Sequence, residues 1–151
     1  MEADLNRKHD RQFLPVLSEE EAGSYSPLVL AFAGDGVYDL AVRTMLVQKG
    51  NARPDALHRK KASLVKAAAQ SSMMNAILPV LTESEEAVYR RGRNAKSYTK
   101  AKNSSVTDYR RATGFEALIG YLYLSGNIDR VLELIGIGLD GLEAEQERFE
   151  G

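Results

Sequence analysis

Apolar residues recur at spacings of three and four along most of the chain, and alternating strand-like runs are nearly absent. That periodicity puts an apolar stripe on each of several helices and gives no pleated sheet face. The expected fold is all-α. Prolines, glycines and capping residues mark its boundaries. Pro27 opens a helix reaching about Gln48, with Gly50 as its stop, and Pro54 opens another through "PDALHRKKASLVKAAAQ". In that second helix Leu57, Leu64, Val65 and Ala68 line one face, while Arg59, Lys60, Lys61 and Lys66 stay largely wet. A further helical piece runs through "SSMMNAIL" to Pro79. Thr82 and Glu85 stand at capping-box spacing ahead of a short helix that Gly92 ends. The segment "RNAKSYTKAKNSSV" is too polar to pack and reads as a loop. Thr107 caps the helix "DYRRATGFEALIGYLYLSG", stopped by Gly126, and Asn127 caps the last one, "IDRVLELIGIGLDGLEAEQERF".

A chain of 151 residues fits one domain, able to bury about two-thirds of its unfolded surface. Residues 1–25 read as a partly flexible N-terminal extension and 26–151 as the single domain. The absence of cysteine excludes disulfides and thiolate metal sites. The start, "MEADLNRKHDRQFLP", has no apolar run like a signal peptide. Nothing downstream approaches the roughly 20 apolar residues of a membrane span, so a cytoplasmic protein with no membrane partner is expected.

The formal net charge of −1 hides a segregation. Between Arg53 and Arg111 lie 13 of the 20 Lys and Arg but only five of the 21 acids, a balance of +8 there and −9 in the rest. A basic middle between acidic ends fits either a phosphate-backbone binder or a solvated face on a helical protein.

Two carboxylates stand out. Asp35 lies between Gly34 and Gly36, with Ala33 adjacent and Ala31 one turn earlier. Each glycine in a helix costs roughly 0.5–1 kcal/mol relative to alanine. The pair either clears space for an ion or phosphate, or permits tight helix packing beside a solvated Asp35. Glu116 sits in "ATGFEALIGYLYL", where Phe115, Leu118, Ile119 and Leu122 form an apolar stripe and Ala112, Thr113 and Gly120 leave room around the acid. A buried carboxylate needs a partner, either an arginine or a metal. Two such acids on separate helices can converge on one divalent cation, and an all-oxygen donor set favours Mg²⁺ or Mn²⁺ over zinc. Asp39, one turn past Asp35, is a candidate supporting residue, whereas His9 and His58 have no orienting partner and read as surface residues. A third element, "YRRGRNAKSYTKAKN", sets Arg90, Arg91, Arg93, Lys96, Lys100 and Lys102 beside Asn94, Tyr89 and Tyr98. Such a segment, with Lys60 and Lys61 of the basic helix, suits the phosphates and 2′-hydroxyls through which duplex RNA is recognised by shape.

Together these residues resemble the ribonuclease III family. "LAFAGDGVYDLAV" resembles its signature helix, "ATGFEALIGYLYL" its second acidic helix, and "KASLVKAAAQ" the basic helix between them, in a consistent order over residues 26–135. The lack of a double-stranded-RNA-binding domain after residue 125, with "RGRNAKS", points to the reduced branch, Mini-ribonuclease III. The resemblance implies a helical-bundle endonuclease domain over 26–151 that works as a homodimer and cleaves both strands of double-stranded RNA with Mg²⁺, or with Mn²⁺ in its place. It further implies 5′-phosphate products and maturation of the 23S ribosomal RNA precursor in the cytoplasm, assisted by a ribosomal protein. Asp35 and Glu116 take the places of the family's catalytic, metal-binding acids. Leu28, Ala31 and Thr113 stand where larger relatives carry further acids, leaving fewer ligands. Two other readings are a non-catalytic RNA-binding or ribosome-associated protein on the same fold, and a helical adaptor with a solvated basic face.

Overall fold

The computed structural model describes residues 17–95 and 105–150. These form seven α-helices and no strand: α1 (Glu19–Gly23), α2 (Pro27–Gln48), α3 (Pro54–Val65), α4 (Ala67–Ile77), α5 (Glu83–Asn94), α6 (Val106–Leu124) and α7 (Ile128–Glu150). A 3₁₀ turn, Leu78–Val80, joins α4 to the segment before α5. The fold is the expected all-α bundle.

Helix α6 is the axis of the molecule, packed by α2, α4 and α5 and, with smaller contacts, by α1 and α7. Its stripe is as expected: Phe115, Leu118 and Ile119 are fully buried and Leu122 nearly so. Tyr38 of α2 meets Phe115 edge-on, ring centroids 5.1 Å apart. The described part of the N-terminal extension is packed. α1 carries a Ser18–Glu21 capping box, and its Ala22 is fully buried.

Polar clamps fix the periphery. Glu85 caps α5 through the Thr82 backbone and takes a two-pronged ion pair from Arg130 at the start of α7, at 2.8 and 2.9 Å. Hydrogen bonds from that guanidinium hold the Glu85 carboxyl below the usual carboxylate range. Near the far end of α7, Glu145 accepts from Ser72 (2.6 Å) and Asn75 (3.1 Å) of α4. Arg111 of α6 in turn donates to Asn75 at 2.8 Å.

Three boundaries differ from expectation. The helix expected from Pro54 through Gln70 breaks at Lys66, which is extended (φ −65°, ψ 154°), and "AAAQ" belongs instead with "SSMMNAI" in α4. Two carbonyls freed by the break find side-chain donors. The Tyr38 hydroxyl donates to Leu64 at 2.7 Å, and the Gln70 amide to Val65 at 2.8 Å. Gly92 does not end α5, which continues to Asn94. A Cβ there would press within 2.7 Å of Ala117 and 2.9 Å of Gly114 on α6, so Gly92 is a close-crossing residue. Helix α6 is capped by Ser105, whose hydroxyl accepts from the Asp108 amide at 3.0 Å, and not by Thr107.

Candidate active site

The crossing of α2 over α6 is built on two glycines. A Cβ on Gly34 would collide with the backbone carbonyl of Glu116, and one on Gly120 with the backbone carbonyl of Leu30. The helices therefore touch backbone to backbone. Asp35 follows Gly34 in sequence, and Glu116 is the residue Gly34 presses against. The packing that removes two Cβ atoms thus brings the two acids together. Gly36 meets nothing within 4 Å of a Cβ position, so it belongs to no crossing and leaves open space beside Asp35. The two glycines flanking Asp35 answer different demands.

Glu116 is half-buried and Asp35 exposed. Burial, then a hydrogen bond and charge repulsion from Asp35, push the Glu116 carboxyl up to about 8, partly offset by a hydrogen bond from Gln70. At neutral pH the Glu116 carboxyl holds its proton beside Asp35. No arginine contributes to this shift, so the salt-bridge alternative for Glu116 does not describe it.

Gln70 is 2 % exposed. Its amide nitrogen serves the Val65 carbonyl and the Glu116 carboxyl, which fixes the amide orientation because a carbonyl only accepts. Its oxygen Oε1 is buried and has no hydrogen-bond partner among the described residues. The sequence reading missed this residue. Its one signal there is a lone amide ending the run "AAAQ", on what reads as a continuous basic helix.

Among the described residues no group of three or more His, Cys, Asp or Glu gathers as a metal cluster. What the site offers a cation is two carboxylates, an all-oxygen set that fits Mg²⁺ or Mn²⁺ with water completing the shell. Asp39 is turned to other work. It pairs with Arg43 and, at 3.2 Å, with Lys61. Burial raises its pKa, but these two cations outweigh it and hold the carboxyl low.

The basic residues fall on separate elements. Lys60 is exposed on α3, beside a depression shared with Lys49 and Asn51, whereas Lys61 is half-buried against Asp39. Arg90, Arg91 and Asn94 border an open depression on α5 next to Pro27. Arg90 pairs with Glu86 at 2.8 Å, and Arg91 donates to the carbonyls of Gly23 and Tyr25, tying α1 to α5. Arg93 lies over the Tyr89 ring, 5.8 Å from its centroid, and donates to Asn94. Lys96, Lys100 and Lys102, with Tyr98, lie outside the described residues, as does His9. His58 is exposed. No described helix is long and apolar enough to cross a membrane.

A helical bundle that presses an aspartate against a glutamate on a second helix is what the resemblance to ribonuclease III endonuclease domains implies. The family model "Ribonuclease III domain" matches residues 28–127, and the chain belongs to that family, as an endoribonuclease. It is similar to Mini-ribonuclease 3 of Enterococcus faecalis, 52% identical over 110 residues covering 72% of this chain and 83% of the relative. It is also similar to Mini-ribonuclease 3 of Thermoanaerobacter sp., 44% identical over 85% of this chain and 90% of the relative. The fold matches a crystal structure of a Fusobacterium nucleatum protein with a TM-score of 0.70 and 30% identity, covering 78% of this chain and 94% of that one.

Proposed function

We propose that this chain hydrolyses phosphodiester bonds of double-stranded RNA at the Asp35–Glu116 pair, leaving 5′-phosphate and 3′-hydroxyl ends. The observation carrying this reading is the close crossing of α2 and α6 that sets Asp35 beside Glu116, with burial first and Asp35 second raising the Glu116 carboxyl. Asp35 and Glu116 are the residues to hold Mg²⁺, with Mn²⁺ able to substitute. When bound, the ion supplies an acidified water and stabilises charge on the scissile phosphate. Asp35, exposed beside Gly36, gives phosphate access to the site. To hold the ion Glu116 would give up its proton, since a carboxylate must be deprotonated to act as a ligand. Lys60, Arg90, Arg93 and Asn94, with Lys96, Lys100 and Lys102, meet the duplex backbone. Lys61 is engaged with Asp39, and the exposed Arg91 with the carbonyls of Gly23 and Tyr25, so both act by holding elements of the fold in place.

The substrate we infer is the 23S ribosomal RNA precursor in the cytoplasm, presented with a ribosomal protein. The working form is a homodimer. Phe32 is 85% exposed on α2, and an apolar groove of 490 Å³ between α2 and α7 opens on the same helix, lined by Leu40, Met45, Tyr123, Ile128, Leu132 and Leu139. A second copy can seat its Phe32 in that groove, and a two-fold axis makes the contact reciprocal.

The test is cleavage of duplex and single-stranded RNA with Mg²⁺ or EDTA by the wild type, Asp35→Asn and Glu116→Gln. Metal-dependent cutting of duplex alone, lost in both variants, is expected. Duplex binding with steep salt dependence and no metal-dependent products would instead make the protein a non-catalytic binder.

A further inference from the structure

Among the described residues, Gln70 is the one buried polar side chain that the fold leaves half-used. Its nitrogen has two acceptors, the Val65 carbonyl and the Glu116 carboxyl, while its oxygen has none among the described residues. Leaving a buried amide oxygen unpaired costs roughly 1–3 kcal/mol. Packing cannot account for it, because an apolar side chain of similar length fills the same volume without that cost. Nor does the Val65 bond, because it occupies only the nitrogen. No described backbone N–H and no described side chain donates to the oxygen. Among the described residues nothing serves this oxygen, and the amide that carries it touches Glu116, where Asp35 and Glu116 meet.

We propose that Gln70 supplies the third side-chain oxygen of the divalent-cation site, with Oε1 turned to the cation or a water bound to it and Nε2 holding the Glu116 carboxylate. The inference rests on the metal-site reading above and deepens it. It also offers an account of how a site lacking acids at Ala31 and Thr113 gathers enough oxygen. The break at Lys66 fits the same role. It ends α3 so that the Val65 carbonyl is free to anchor the Gln70 amide, and it restarts the helix so that Gln70 faces α6. Gln70 is in this sense a positioning residue, acting through Glu116 and the cation.

The test compares wild type, Gln70→Met and Asp35→Asn by Mn²⁺ titration under electron paramagnetic resonance, with thermal unfolding in EDTA and steady-state cleavage alongside. Gln70→Met keeps side-chain length without either hydrogen-bonding group. It is expected to weaken Mn²⁺ binding by about 10-fold or more and to lower kcat with KM for RNA unchanged, while still unfolding cooperatively in EDTA. Mn²⁺ affinity within twofold of wild type in Gln70→Met, with binding abolished in Asp35→Asn, overturns the role of Gln70 and leaves the metal site standing. Wild-type binding in Asp35→Asn overturns the metal-site reading itself. Wild-type crystals soaked in Mn²⁺ decide the matter without any variant. Anomalous scattering locating the ion, with Gln70 Oε1 on it or on its water, supports the proposal, and an Oε1 paired with anything else overturns it.

Discussion

Glu116 carries a proton that an exposed glutamate would have lost. Its folded-state pKa of about 8 lies above the ordinary 4.5, so the folded protein binds that proton more tightly than the unfolded chain. The stabilisation is complete below pH 4.5 and is lost as pH rises through 8, at up to about 1.4 kcal/mol per pH unit. Glu116→Gln keeps a neutral donor facing Asp35 and removes the titration. In EDTA, the difference in unfolding free energy between variant and wild type should therefore grow in the variant's favour from pH 5 to 8.5. Parallel stability profiles would contradict this. At this scale the sequence singles out the two acids, which the fold brings together, but not Gln70 beside them. Asp35 and Glu116 announce themselves by small neighbours in otherwise apolar helices, whereas Gln70 follows three alanines and matters only because its backbone turns at Lys66.

Helices were legible where their ends are made locally. Pro27 and Pro54 at first-turn positions and the Thr82–Glu85 capping box act within a few residues, and each stands where expected. The break at Lys66 was not legible. "KASLVKAAAQ" has good helix formers throughout, and the interruption is held by donors from other turns of the fold, Tyr38 and Gln70. Glycine misled for a related reason, since the same residue ends a helix or lets two helices touch according to what faces it. The pair around Asp35 makes the distinction measurable. Gly34→Ala forces a methyl into the Glu116 backbone and should destabilise by about 1–3 kcal/mol or more. Gly36→Ala meets only open space and should stabilise by roughly 0.5–1 kcal/mol. Chemical denaturation of both variants checks the signs. If Gly36 keeps the approach to Asp35 open, its alanine variant should also cleave more slowly while being more stable. Unchanged cleavage would mean the phosphate does not pass that side of the helix.

At the scale of the molecule, the charge segregation read from the sequence is partly spent on the fold itself. Lys61 holds Asp39, and Arg91 ties α1 to α5, so the basic residues left for a polyanion are fewer than the +8 of the middle section suggests. A single copy thus offers a duplex a narrow basic surface and one pair of acids, which cannot cut two strands in one encounter. Pairing two copies doubles both, and the exposed Phe32 with the apolar groove along α2 gives that pairing a physical basis. Phe32 lies eight residues before Leu40 of the groove on the same helix, so ring and groove approach a partner together. Light scattering of the eluting protein should give twice the 16.7 kDa chain mass for wild type. Phe32→Asp replaces an already exposed side chain, so the fold should survive, with unchanged helical circular dichroism, while the mass falls to that of one chain. Its loss of activity should be in double-strand scission, with any residual cutting appearing as nicks in one strand. A wild type of single-chain mass at concentrations where both strands are cut would show that the groove serves something other than a second copy.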